Sequence, residues 1–294
     1  MGLVDLRETT NPISNFSKRH SFLLPFICFT SFFLLWPVLK VAIKSLQTEK
    51  GNWTLANFKP ILHGTYLHAF VISIKLSIIT AFISSLIGAL FTFTIAKYAS
   101  ARFTNLVDSI CAVFANSGGV PLAFMFISAF GIEGIITKTL KYLGWNIYSG
   151  KFTLFSFTGV CLVYLFFLIP LMVIVFKPAV SNIRNEWAEA SESLGANNLT
   201  YYRRIVFPIL MPSFLGGFFL LFAAAFSAYA TARAMTTGTV PLVPIIIGNL
   251  VDGNVISNEA NLGDALALGM IIVAIFSMTG YWLSIKWSSK WRVQ

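Results

Sequence analysis

The sequence is poor in charge. Only 11% of its 294 residues are Asp, Glu, Lys or Arg, and only 11 are acidic. Hydrophobic residues make up 56% of the chain, 29 of them Phe, and the mean hydropathy is +0.77. So few polar side chains cannot cover the surface of a soluble globule of this size. We therefore expect a protein whose solvent is the lipid bilayer.

Cysteine and histidine are also scarce, with three of each. Cys28, Cys111 and Cys161 lie far apart inside apolar runs and lack the spacing of metal ligands, which is typical of small buried hydrophobic residues. A membrane-embedded enzyme needs His, Asp or Glu clustered on helix faces, and the three histidines are scattered. The sequence predicts no catalytic residue, no metal site and no cofactor.

The formal net charge of +10 does not indicate a nucleic-acid partner. The basic residues occupy short segments between apolar runs, and no basic stripe or base-stacking motif organises them. Anionic phospholipid headgroups are a simpler partner for these cations. We expect contact with the lipid bilayer and none with nucleic acid.

Long apolar runs are what the sequence has instead. A bilayer core about 30 Å thick needs roughly 20 apolar helical residues to cross it, and six stretches qualify. The predicted spans are 22–43, 68–96, 106–130, 153–176, 208–232 and 265–286. The predicted fold is all-α: a short tail over residues 1–20, then one polytopic membrane domain over 21–294 with six transmembrane helices.

Six spans place both termini on the same side of the membrane, and basic residues indicate which side. Twelve fall on the side of the termini and eight on the other. The twelve are Arg7, Lys18, Arg19, Lys97, Arg102, Lys177, Arg184, Arg203, Arg204, Lys286, Lys290 and Arg292; the eight are Lys40, Lys44, Lys50, Lys59, Lys138, Lys141, Lys151 and Arg233. This bias predicts cytoplasmic N- and C-termini and a cytoplasmic loop over 177–207.

That loop has the pattern of two short helices joined at a glycine. Trp187, Ala190 and Leu194 form an apolar stripe beside a stripe of glutamates. Gly195 can adopt the left-handed conformation that ends a helix, and Asn197 or Asn198 can cap the next one. Pro208 is then expected to begin the fifth span, where its missing N–H costs little.

The same loop carries a spaced motif. It reads Glu189-Ala190-Ser191, three residues, Gly195, nine residues, then Ile205-Val206-Phe207-Pro208. This resembles the EAA loop of bacterial ABC importer permeases, Glu-Ala-Ala, three residues, Gly, nine, Ile, one, Leu-Pro, with Ser191 replacing Ala and Phe207 replacing Leu. The alternative is an ordinary helix–Gly–helix turn between two spans. By resemblance, the residues that contact the ATPase would be Glu189, Ala190, Ser191, Gly195, Ile205 and Pro208.

The resemblance implies the type I ABC importer permease fold and a non-catalytic subunit of the bacterial plasma (inner) membrane. Its implied partners are a dimer of ABC ATPase subunits, a second permease subunit, identical or paralogous, and an extracytoplasmic solute-binding protein. A separate ATPase agrees with the sequence, whose nearest match to a phosphate loop, Gly144 to Gly150-Lys151-Phe152, has one residue too many between its glycines and no Ser or Thr after the Lys.

A stand-alone ion-coupled carrier or channel is the alternative function. It needs paired buried charges or a selectivity filter, and the spans offer Lys75 as the one candidate charge. Lys75 has two interpretations, a functional intramembrane charge or a side chain that extends to the outer interface.

Candidate pathway residues lie in two spans. In the third, Asn116, Ser117, Gly118 and Gly119 precede Pro121, which predicts either a hinge lining the pathway or close helix packing through small residues. In the fifth, the candidates are Ser227, Tyr229 and Thr231, with Ser227 and Thr231 expected on one face at i and i+4. The alternative there is that these hydroxyls bond to their own helix.

Three stretches support a closer resemblance: residues 119–124, 189–212 and 225–232. Together they resemble the branch that contains spermidine/putrescine-type permeases and relatives for phosphonates, ferric iron and similar solutes. The resemblance implies a polyamine-like cargo, or a phosphonate, iron or other small solute. The near absence of acidic groups in the spans gives no independent support for a polycation.

Overall fold

The computed structural model describes residues 24–48, 50–150, 152–236, 239–252 and 261–289, so the predicted tail over 1–20 lies outside the described residues. The described chain is all-helical apart from one isolated bridge between Gln47 and Trp53. We number its α-helices in chain order. They are α1 Leu24–Thr30, α2 Trp36–Ser45, α3 Gly64–Tyr98, α4 Ala101–Ala115, α5 Val120–Phe130, α6 Ile135–Tyr142, α7 Phe157–Ser181, α8 Asn185–Ser193, α9 Asn198–Tyr201, α10 Phe207–Ser227, α11 Tyr229–Thr236, α12 Val243–Val251 and α13 Leu262–Ser289.

Six stretches of described helix are long and apolar enough to cross a membrane. They are Pro25–Ser45, Gly64–Tyr98, Val120–Tyr142, Phe157–Ser181, Asn198–Ser227 and Leu262–Lys286. The all-α expectation with six spans is confirmed. The third stretch differs most from its predicted bounds of 106–130, because that segment contains two helices, α4 and α5, separated by a break at residues 116–119.

The core lies where α3, α7 and α10 pack together. A stripe of small residues on α3 faces its neighbours, and all of its members are buried: Ser73, Ser77, Thr80, Ser84, Gly88 and Thr92. Met172 of α7 fills the space between two glycines, since a Cβ on Gly88 or on Gly217 of α10 would lie 2.6 Å from its side chain. Small residues of this kind allow close approach of helices in a bilayer.

The peripheral helices have a different environment. The described side chains of α1 and α2 are mostly exposed, and a π-helical turn over Ser31–Leu35 joins the two helices. α2 packs against α13, which in turn packs along α10. Exposed apolar side chains on such helices are expected of segments that face lipid.

One end of the bundle carries α8, and we call it the α8 end. There α3 ends, α4 begins, α7 ends and α10 begins. The opposite end is tied together by polar contacts: the Ser73 hydroxyl accepts from the Val243 N–H at 3.0 Å, and the Asn261 side chain donates to the Gln47 carbonyl at 2.7 Å.

Candidate functional site

α8 ends in a turn at Gly195 that is closed by backbone hydrogen bonds. Gly195 has φ +77°, the left-handed conformation expected from the sequence. Its N–H donates to the Glu192 carbonyl at 2.8 Å, and the Ala196 N–H donates to the Ser191 carbonyl at 3.0 Å. These two bonds form a Schellman motif, which satisfies carbonyls that the helix end leaves without partners.

The chain turns directly into the next helix. The Asn197 side chain accepts from the Thr200 N–H at 2.8 Å, so Asn197, one of the two expected candidates, is the cap of α9. The helix then runs on through a π-helical turn, Tyr202–Val206, into α10. Pro208 is the second residue of α10 and does not begin the helical run as expected; the wider π turn just before it accommodates a residue that lacks an N–H.

An open groove of about 500 Å³ separates α8 from α9 and the π turn. It is mostly apolar. The predicted apolar stripe faces it, and its walls are Trp187, Ala190, Ser191, Leu194, Ala196, Thr200, Tyr201, Arg204, Ile205 and Ile209. Leu194 is 87% exposed at its rim. A contiguous exposed apolar groove with polar residues among its walls is typical of a surface that binds another protein.

The six predicted coupling residues fall in different surroundings. Glu189 and Gly195 are exposed, and a Cβ on Gly195 would meet nothing within 4 Å. Ala190 and Ile205 line the groove. Ser191 is buried, and its hydroxyl donates to the Ala188 carbonyl of the same helix at 2.9 Å. Pro208 is exposed at the start of α10.

Two tyrosines attach the loop to the bundle. Tyr201 is buried, and the Tyr202 hydroxyl accepts from Lys97 Nζ at 2.8 Å. The Tyr202 ring also meets Phe93 edge-on, with centroids 5.9 Å apart. Both partners belong to the last turns of α3, so the π turn that follows α9 contacts the end of α3 directly.

An ion pair that the sequence analysis missed joins α4 to α7 at the same end. Asp108 pairs with Lys177, and both side chains are about one-third exposed. Lys75 is therefore not the only charge within the predicted spans, since Asp108 falls inside 106–130. The two residues are 69 positions apart, and only the packing of α4 against α7 brings them together.

The break between α4 and α5 depends on one glycine. Gly119 has φ +103° and ψ −160°, a conformation that is essentially restricted to glycine. Gly118 is unconstrained, since a Cβ there would lie 4.0 Å from Phe167. Asn116 and Ser117 donate to the carbonyls of Ala112 and Phe114 at 2.8 Å each. Gly119 therefore determines the backbone conformation of the break, neither glycine is in close helix packing, and the two polar side chains bond to their own helix.

The fifth predicted span has a second break. α10 ends at Ser227, and Ala228 leaves the helical conformation with ψ +83° before α11 begins. Ser227 and Thr231 consequently do not share a helical face, and that expectation is wrong. The Ser227 hydroxyl donates to the Ala223 carbonyl of its own helix at 2.9 Å. The Ala228 carbonyl accepts a 2.8 Å hydrogen bond from the Tyr164 hydroxyl of α7.

The two breaks touch each other. Thr231 Oγ1 accepts from the Gly119 N–H at 2.7 Å and lies 3.3 Å from the Gly119 carbonyl oxygen. Thr231 is 2% exposed. Of the predicted pathway residues, the structure thus brings Gly119 and Thr231 into direct contact, whereas Asn116, Ser117 and Ser227 contact their own helices.

Tyr229 takes part in a charged cluster beside the second break. Its hydroxyl accepts from Arg233, and Arg233 pairs with Asp252 at 3.1 Å. The hydrogen bond with Tyr229 is the main cause that raises the pKa of the Arg233 guanidinium. A Cβ on Gly248 would lie 2.6 Å from the Tyr229 hydroxyl, so this ring packs closely on α12.

Lys75 lies at the level where α7 begins. Its Nζ is 6.0 Å from the ring of Phe157, the first residue of α7, while the start of α3 extends eleven residues further. A cation at that height can reach the interface, which favours the second of its two interpretations.

Comparison with known proteins assigns the chain to a family. The sequence profile of the family described as "Binding-protein-dependent transport system inner membrane component" matches residues 84–290. A probable sulfate transport system permease protein cysT from Helicosporidium sp. subsp. Simulium jonesii is 27% identical over 62% of this chain and 65% of its own length. The spermidine/putrescine transport system permease protein PotB from Haemophilus influenzae is 24% identical over 87% of this chain and 90% of its own.

Solved structures share the fold. A bacterial ABC transporter that imports the acidic polysaccharide alginate aligns with a TM-score of 0.68 at 15% identity, over 96% of this chain and 98% of its own. The MetNI methionine ABC transporter, in an inward-facing conformation, aligns with a TM-score of 0.53 at 14% identity, over 78% of this chain and 98% of its own. The expected importer permease fold is confirmed, and the chain belongs to the family of binding-protein-dependent transport system inner membrane components.

Proposed function

We propose that this protein is the permease subunit of an ATP-binding-cassette importer and that α8, Gly195 and α9 form its coupling loop. The observation that carries the proposal is the exposed groove at the α8 end, whose walls hold Ala190 and Ile205 of the spaced motif. A partner ATPase that binds α8 would move α9, Tyr202 and α3 together, because Lys97 donates a hydrogen bond to Tyr202 and Phe93 packs against its ring.

The proposed complex contains two ATPase subunits that hydrolyse ATP, a second permease subunit and an extracytoplasmic binding protein. A solved structure of similar fold supports the binding protein in this composition, since an alginate ABC transporter was solved in complex with a periplasmic protein bound to an alginate pentasaccharide. The proposed orientation has both termini and the coupling loop in the cytoplasm. A reporter that is active only in the cytoplasm should be active after residue 196 and silent near residue 145; the opposite pattern would refute this orientation.

A charge reversal on α8 tests the coupling proposal. Glu189→Lys changes an exposed residue outside the six apolar stretches, so insertion and protein level should stay normal, while ATPase co-purification and uptake should fall severely. Lys59→Glu is the matched control, an exposed charge reversal that also lies outside the six apolar stretches, between α2 and α3 at the opposite end. Equal ATPase recovery with both variants would contradict the proposal.

The cargo is a separate question, because the relatives include sulfate permeases and a spermidine/putrescine permease. Among the described residues, no carboxylate takes part in the contacts between the two breaks, and Asp108 and Asp252 are each paired with a cation. A polyamine would need acidic partners there, so we favour a small anion of the sulfate or phosphonate kind. Uptake of labelled sulfate in excess of labelled spermidine would support this choice, and the reverse would return the cargo to the polyamines.

A further inference from the structure

The geometry points to a joint: the breaks at Gly119 and Ala228 move as one unit, and Tyr164 and Thr231 are the residues that position it. This inference deepens the proposed function, on which its role in transport rests. Gly119 and Thr231 are 112 positions apart, and Tyr164 and Ala228 are 64 apart. Neither break is held by its own helix alone.

Tyr164 fixes the position of the second break. Ala228 lies at the break between α10 and α11, where polar backbone groups inside a bilayer need partners from the surrounding protein. The Tyr164 hydroxyl is that partner for the Ala228 carbonyl, and the residue is 1% exposed. Its ring is held by packing against Phe167, with centroids 5.6 Å apart. This hydrogen bond therefore joins the break at Ala228 to α7.

Thr231 ties the second break to the first. Its hydroxyl oxygen accepts a hydrogen bond from the Gly119 N–H. This N–H lies just before the first turn of α5 and has no acceptor within that helix. The Gly119 backbone adopts a conformation restricted to glycine, so it has little freedom to rotate and find another acceptor. α11 cannot shift along α5 without losing this bond.

The two contacts form a chain across three helices. Tyr164 of α7 donates to the Ala228 carbonyl. Thr231 follows less than one turn later and accepts from the Gly119 N–H at the start of α5. Displacement of α7 relative to α10 at the α8 end would therefore change both breaks together. The joint links the segments that the sequence analysis singled out as pathway candidates, and α7 leads directly towards α8.

Amide hydrogen exchange on the full-length chain in lipid nanodiscs tests the contact itself. Tyr164→Phe keeps the ring and removes only the hydroxyl, so exchange should accelerate about tenfold, the loss expected from one buried hydrogen bond, in residues 227–233 and also in 117–123. Tyr148→Phe is the matched control, because its hydroxyl also donates to a carbonyl, that of Phe130 at 2.6 Å, away from the joint. It should leave both segments unchanged.

A second pair of variants tests the hydrogen bond between Gly119 and Thr231. Thr231→Val should accelerate exchange in the same two segments, and Thr231→Ser should restore it. Thr236→Val is the control, since that buried hydroxyl donates only to Ala232 of its own helix at 2.9 Å. If Tyr164→Phe affects only 227–233 and Thr231→Val affects only 117–123, the breaks are independent and the inference is wrong.

The link to transport is tested with ATP and vanadate on the chain purified with its ATPase. In the wild type, trapping should change exchange in both segments, and in Tyr164→Phe it should change at most one. Unchanged exchange in both wild-type segments would overturn a role in transport. If no ATPase co-purifies, the proposed function fails, but the first two sets of variants still decide whether the joint exists.

Discussion

The proposed coupling loop and the proposed joint are both interruptions of helices, and they are constructed in opposite ways. At the loop, Gly195 and Asn197 close the interruption with hydrogen bonds to residues three to five positions away. At the joint, Gly119 and Ala228 depend on partners from other helices. The loop can thus keep its shape while it moves as a body, whereas the joint changes whenever the helices around it shift.

The largest effect is expected at the joint. Gly119→Ala places a Cβ in a conformation essentially restricted to glycine, so stability should fall by about 2–3 kcal/mol. Gly118→Ala is the neighbouring control, where a Cβ meets only Phe167 at 4.0 Å, and it should change little. Thermal unfolding of both variants in detergent measures the difference. Equal losses would mean that the break does not depend on the conformation of Gly119.

A smaller loss of stability is expected at the loop. Gly195→Val forces a branched residue into the left-handed region at a cost of roughly 1–2 kcal/mol. Gly144→Val carries the same local cost, because Gly144 has φ +88° and closes α6 with the same pair of backbone bonds. Both variants should lose similar stability, and only Gly195→Val should lose ATPase on purification. If both retain the ATPase, Gly195 does not belong to the surface that binds the ATPase.

The Asp108–Lys177 pair should matter less. Both side chains are about one-third exposed, so solvent screening reduces the contribution of the pair to about 0.5–1 kcal/mol. Asp108→Asn and Lys177→Gln should each lower thermal stability slightly, and the double variant should lose less than their sum. Strict additivity would show that the two charges do not interact.

The smallest effect is predicted at Ser227. Its hydroxyl is exposed and donates to its own helix, so Ser227→Ala should change stability by less than about 0.5 kcal/mol. Uptake kinetics give the informative measurement: a raised KM with normal stability would mean that Ser227 contacts the solute after all.

The same contrast explains what could be predicted from the sequence. Gly195 and Asn197 act on residues within a few positions, and the spaced motif around them was recognisable. The fold also followed from six apolar runs. Gly118-Gly119 before Pro121 indicated the first break, but no glycine or proline marks the second, at Ala228, whose hydrogen-bond partner Tyr164 is 64 positions away. The contacts of Thr231 with Gly119 and of Asp108 with Lys177 depend on packing, which residue spacing along the chain does not reveal.

The length of α3 has a mechanical consequence. Its 35 residues correspond to about 52 Å, and the helix contains no proline and no break. Near one end it holds Tyr202 through Lys97, and nearer the other it holds Val243 through Ser73. Treated as a rigid lever, a tilt of about 5° at one end displaces the other by roughly 4.5 Å. A modest rotation imposed at the α8 end is therefore enough to move the far end of α3 by more than the length of a hydrogen bond.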